Sequence, residues 1–119
     1  MIVLETPYQM AVNVAKRFRL VRKTKKMTIK EVSKRSGVPY STLRRFESTG
    51  EISFMGFVKI MSTIDEDREI QGILADWLPG SIDDVIRYNK LREEQERKDR
   101  RNNWGDQKRI IGESGLDVK

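Results

Sequence analysis

The chain has 119 residues, 37% hydrophobic and 35% charged, and its 24 Lys and Arg outweigh 18 Asp and Glu to give a net charge of +6. That length suits one domain with a tail and leaves little core to spare. Lacking both cysteine and histidine, it has no disulfide framework, no thiolate or imidazole zinc site, and no access to the commonest general base.

The charge is unevenly spread. Residues 1–50 carry twelve bases against three acids, residues 51–86 two bases against eight acids, and residues 87–119 ten bases against seven acids. A basic half followed by an acidic block is the asymmetry expected when one side faces a polyanion. No apolar run approaches the ~20 residues that span a bilayer. The start, Met1-Ile2-Val3-Leu4-Glu5, has neither the basic region nor the apolar length of a signal peptide. A soluble, cytoplasmic protein without a membrane partner is expected. There is no G-x-x-x-x-G-K-S/T phosphate loop and no set of carboxylates placed for a metal. The sequence therefore reads as a binding protein rather than an enzyme, with no catalytic residue, cofactor or metal.

Ile2-Val3-Leu4 suits a short strand or a flexible lead. Thr6-Pro7 then marks a helix start, Thr6 as N-cap and Pro7 at the first helical position. From Tyr8 to about Lys25, Ala11, Val14, Ala15, Phe18 and Val21 recur at helical spacing, with Lys16, Arg17, Arg19, Arg22 and Lys23 between them. Thr28 is an N-cap for a second helix of about two turns, and Glu31 three residues on completes a capping box. Val32 and Ser36 face inward with Ile29 or Met27. Gly37 stands where a helix end favours a left-handed residue, and Pro39 starts a third helix over about Tyr40–Ser48. Leu43 and Phe46 are its apolar positions, and Gly50 closes it.

Ser53 caps a fourth helix in which Phe54, Phe57, Val58, Met61 and Ile60 pack; Ile60, Met61 and Ile64 suit either core or a dimer surface. Asp65-Glu66-Asp67 opens a fifth helix with Ile70, Ile73, Leu74 and Trp77 inward, ended by Pro79-Gly80. A new start follows at Ser81 with Asp84 as capping partner, and Ile82, Val85 and Ile86 give one apolar turn able to dock. Residues 89–101 are helix-compatible but almost without an apolar face. Residues 102–119 are expected to be disordered when free. The domain reading is 1–80 for the helical domain and 81–119 for a charged extension, part helical and part disordered.

Residues 27–47 organise the rest. A short helix and a glycine turn set the next helix at a steep angle on the surface, free to enter a major groove. Ser41 and Thr42 at its start let the backbone approach phosphate. Arg45, one turn beyond Ser41, is the candidate for reading guanine O6 and N7, and Arg44, about 100° around the helix, for a phosphate. Tyr40 can stack on sugar, touch a thymine methyl, or simply cap the helix. Lys16, Arg17 and Lys23 are either phosphate contacts or a solvated face.

These residues resemble the helix-turn-helix regulators of the lambda and 434 repressor type, the XRE family, over roughly residues 12–64. The carriers are Met27-Thr28, Glu31-Val32-Ser33, Ser36-Gly37-Val38, Ser41-Thr42-Leu43, Arg45-Phe46-Glu47 and Gly50-Glu51-Ile52. The resemblance implies an all-α, lambda-repressor-like five-helix DNA-binding domain with a polar helical or disordered C-terminal extension. Where the family often has a phosphate-touching glutamine this chain has Ile29, which leaves Thr28 and Lys30 for that contact. The family's helix-1 arginine and helix-3 glutamate fall on Arg22 and Glu47, implying a structural ion pair.

Within the family, Ser41 to Ser53 and Ser81-Ile82-Asp83-Asp84-Val85 resemble HipB-like antitoxins that accompany HipA-like kinase toxins. Such a protein would dimerise, bind double-stranded DNA at an inverted-repeat operator, repress its own promoter, and hold a toxin kinase complex with its accessory subunit. A stand-alone phage- or operon-type repressor, or a toxin-holding protein with DNA binding secondary, are the alternatives. The extension is a solvated tail, a further phosphate contact through Arg97, Lys98, Arg100 and Arg101, or a partner-binding segment anchored by Trp104, Ile110, Ile111 and Leu116.

Overall fold

The computed structural model describes the backbone of residues 4–115 and the side chains of residues 4–104. These residues form six helices and no strand: α1 (Pro7–Thr24), α2 (Ile29–Ser36), α3 (Tyr40–Thr49), α4 (Phe54–Thr63), α5 (Asp67–Gln71) and α6 (Ile82–Gly115). The expected short strand falls mostly on residues 1–3, outside the described ones. The chain divides into two compact units between Asp76 and Trp77.

Local chemistry sets most boundaries of the first unit. Thr6 Oγ1 accepts from Gln9 N at 3.1 Å, and the Gln9 side chain accepts from Thr6 N at 2.9 Å, a reciprocal capping box. At α2 only half of that arrangement forms. Thr28 Oγ1 accepts from Glu31 N at 3.1 Å, but the Glu31 carboxylate receives the Thr28 hydroxyl at 3.2 Å rather than the Thr28 backbone N–H. Gly37 and Gly50 end α2 and α3 with φ of 79° and 78°. Ser53 caps α4 by accepting from Gly56 N at 3.0 Å.

The core of this unit is Ala15 and Phe18 of α1, Val32 of α2, Val38 in the turn, Leu43 and Phe46 of α3, Ile60 of α4, and Ile64 just beyond it. Phe46 is central: its ring meets Phe18 at 5.5 Å and Phe57 at 5.7 Å, both edge-to-face. Burying one such ring contributes ~2–3 kcal/mol, and the edge geometry adds to it. Val38 is buried because the turn is knitted from inside. Ser33 Oγ donates to Val38 O at 2.7 Å, and Val38 N donates to Ser36 Oγ at 3.1 Å. That use of Ser36, half-buried, is as a turn acceptor rather than an apolar-face residue. Ile60 and Ile64 are core, not surface.

Several expectations are corrected. Phe54 occupies the first position of α4 and is 68% exposed; Gly56 and Ile60 carry the buried face instead. The fifth helix ends at Gln71, after barely more than a turn, and Leu74 adopts a left-handed φ of 58°. Helical spacing therefore does not extend to Ile73, Leu74 and Trp77, which are exposed, while Ile70 is half-buried. Asp65, expected to open this helix, has φ 60° and precedes the N-cap residue Glu66.

In the second unit, Ser81 Oγ accepts from Asp84 N at 3.2 Å at the start of α6. Trp77 and Tyr88 meet edge-to-face at 5.1 Å. Ile82 and Ile86 are exposed. The charged extension is carried by α6, helical to Gly115. Surface pairs support that length without an apolar face, Arg92 with Glu96 at 3.8 Å and Gln95 with Asp99 at 2.9 Å. No proline follows Pro79, so no residue removes a helical hydrogen bond.

Candidate nucleic-acid interface

The angle of α3 is set from beneath. Arg22, 5% exposed, leaves α1 and reaches Glu47 of α3 with two bonds, Nε to Oε2 at 2.8 Å and Nη2 to Oε1 at 2.9 Å. Its third donor, Nη1, reaches Met27 O at 2.8 Å, just ahead of α2. One guanidinium thus ties α1, the α2 lead-in and α3 together in the bidentate geometry only arginine provides. Arg19 stands 3.9 Å from the same carboxylate.

With Leu43 and Phe46 buried, α3 turns Tyr40, Ser41, Arg44 and Arg45 outward, and Thr42 is half-buried. Pro39 stands at the N-cap and no side chain caps the helix. The first-turn N–H groups are left without a side-chain acceptor, the arrangement that accepts an anion. The two arginines are handled differently. Arg44 lies 5.9 Å from the Tyr40 ring centre and donates to the Tyr40 hydroxyl at 3.3 Å. Arg45 is ion-paired with Glu51, which lies just past the helix end.

Beside α3, one surface depression is lined by Lys23 and Lys26 from the end of α1 and its exit, Thr28, Ile29 and Lys30 from the start of α2, and Tyr40. It brings Thr28, Lys30 and Tyr40 together with two lysines more. Lys26 holds a left-handed φ of 58° two residues before the N-cap Thr28, and that position is the one sequence signal that places it here. Lys16 does not join this group; it lines a separate depression with Glu5, Tyr8, Gln9, Val12 and Asn13. Glu51, the partner of Arg45, is marked in the sequence only by following the glycine that ends α3. Trp104 is exposed on α6, and the Ile110, Ile111 and Leu116 side chains lie outside the described ones.

Among the described residues, no group of acidic residues could hold a metal ion, and no helix is long and apolar enough to cross a membrane. An all-helical unit that holds a second helix outward across a glycine turn, beside a lysine-lined depression, is suited to a DNA groove. The model of the MerR helix-turn-helix family of regulatory proteins matches residues 27–55, which span α2, the turn, α3 and the start of α4. That family is not the XRE type the motif resembles; the helix, glycine turn and second helix are shared by helix-turn-helix classes. No curated protein and no solved structure matches the chain. Geometry and family match agree on a helix-turn-helix of the regulatory type, the DNA-binding element of a transcription regulator.

Proposed function

We propose that this regulator is a sequence-specific repressor that inserts α3 into the major groove and blocks transcription by occupying an operator. The observation that carries the reading is the outward set Tyr40, Ser41, Arg44 and Arg45 on a helix whose tilt is locked by the buried Arg22–Glu47 pair. Arg45 reads a guanine, Arg44 and the α3 N-terminus hold phosphate, and Thr28, Lys30 and the neighbouring Lys23 and Lys26 extend the phosphate track. Lys16 adds a contact from α1. The protein acts in the cytoplasm as a homodimer on an inverted repeat, since a single half-site gives little affinity. Self-association is supported by an open apolar groove of about 410 Å³ between α1, α4 and α5, lined in part by Val14, Phe57, Met61 and Ile70.

The test is selection of bound sites from a random duplex library, followed by binding measurements on the selected site. Arg45→Ala is expected to lose ~1–3 kcal/mol on that site. A library that yields no enriched sequence would refute the reading.

A second role, antitoxin to a HipA-like kinase toxin, is supported by the resemblance of residues 41–53 and 81–85 and by the exposed Trp104 on the long polar α6. Loss of kinase co-purification on deleting residues 87–119 would support it. Retention of the kinase would exclude the extension as its docking segment.

A further inference from the structure

Arg45 and Glu51 are both exposed, yet the pair is built rather than casual. The Thr49 hydroxyl donates to Arg45 O at 2.7 Å and accepts from Glu51 N at 3.2 Å, so one side chain binds the backbone of both partners. Between them Gly50 turns the chain at φ 78°. A Cβ there would stand 2.7 Å from the Ala11 backbone carbon, so the turn is pressed against α1 and cannot drift. The result is a carboxylate returned to the outward face of α3, within reach of one of its two arginines and not the other.

An anion fixed on a surface that meets a polyanion costs general affinity. Its benefit is discrimination, because specificity is a difference of affinities that repulsive elements can widen. We infer that Glu51 is a specificity-determining residue: it holds the Arg45 guanidinium toward base edges and makes a phosphate contact by Arg45 unfavourable. Guanine O6 and N7 accept two parallel N–H bonds from the guanidinium, and the group keeps donors for the carboxylate. A phosphate brought to the same guanidinium would meet the carboxylate at close range. Arg44, facing the Tyr40 hydroxyl instead of an acid, stays free for the backbone. This inference rests on the proposed reading of DNA by α3.

The experiment compares the full-length wild type, Glu51→Gln, Arg45→Ala and the double variant on two duplexes of equal length, the site selected by the wild type and a scrambled one. Asp67→Asn, on α5, serves as the equal charge change elsewhere. Glu51→Gln is expected to lower the ratio of selected-site to scrambled affinity by about two- to fivefold, the range an exposed ion pair allows. Asp67→Asn should leave the ratio unchanged, and in the Arg45→Ala background Glu51→Gln should have no effect on it. An unchanged ratio for Glu51→Gln, or an equal effect without Arg45, overturns the inference. If the wild type selects no site at all, the DNA-reading proposal falls with it. If Arg45→Ala weakens the selected site while Glu51→Gln leaves the ratio alone, the inference about Glu51 falls and the reading by Arg45 stands.

Discussion

Arg22 and Glu47 lie 25 residues apart in sequence and meet in a two-point ion pair with side chains 7% and 8% exposed. Such a pair gives modest net stability when intact but is costly to break, because the survivor is left buried and charged. Glu47→Ala strands Arg22 with only its bond to Met27 O, and should cost ~3–5 kcal/mol in urea unfolding. Arg22→Ala should cost less, since Arg19, already 3.9 Å away, can swing onto Glu47. Equal losses in the two variants would show that Arg19 gives no support.

The two left-handed glycines separate two kinds of cost. At Gly37 an added Cβ meets nothing within 4 Å, so Gly37→Ala should lose only the ~1–2 kcal/mol of a left-handed alanine. Gly50→Ala adds a clash with the Ala11 backbone and should lower the thermal midpoint clearly further. Matching midpoints would mean that the close approach of α1 is absent in solution.

Phe46 touches Phe18 and Phe57 at once and is 2% exposed. Phe46→Ala should cost ~3–5 kcal/mol in denaturant unfolding. Phe54→Ala, at a residue 68% exposed, should change stability by no more than ~0.5 kcal/mol. A large loss from Phe54→Ala in a dilute, monomeric sample would contradict its exposure.

Lys30 lines the depression it shares with Lys23, Lys26 and Tyr40. Replacing it with alanine should weaken selected and scrambled duplexes alike and flatten the slope of log K against log salt by ~0.9. Lys16→Ala, from the separate depression on α1, should flatten it less. An unaltered slope for Lys30→Ala would remove it from the phosphate track.

Every buried hydrophobic residue among the described ones lies between Ala15 and Ile64. A fragment ending at Asp76 should therefore keep a cooperative thermal transition within a few degrees of the full chain, followed by circular dichroism. A broad, non-cooperative melt would show that the first unit lacks a self-sufficient core.

The parts of the fold legible in the residues are those governed within four positions along the chain. Thr6, Thr28 and Ser53 cap, Gly37 and Gly50 turn, and Phe18, Leu43 and Phe46 recur at helical spacing. Each depends on hydrogen bonds or sterics reaching no further than one helical turn. Where two local signals competed, the residues alone misled: the spacing of Ile70, Ile73 and Leu74 reads as a helix face, but the helix stops at Gln71. The capping pattern Thr28–Glu31 closes through a hydroxyl rather than the backbone.

Capping, backbone sterics and helical periodicity act locally, so the residues alone specify a succession of helices, a basic first half, a helix–glycine turn–helix at residues 28–49, and an arginine-bearing outward face on its second helix. The tertiary structure alone decided that Val38 is buried in the turn while Phe54 is exposed, that Lys26 joins Thr28, Lys30 and Tyr40 in one depression, and that Arg45 faces Glu51 while Arg44 faces Tyr40. Those outcomes depend on where separate helices come to rest against one another. A charge pair or a buried ring is an agreement between surfaces that the chain brings together only after it has folded.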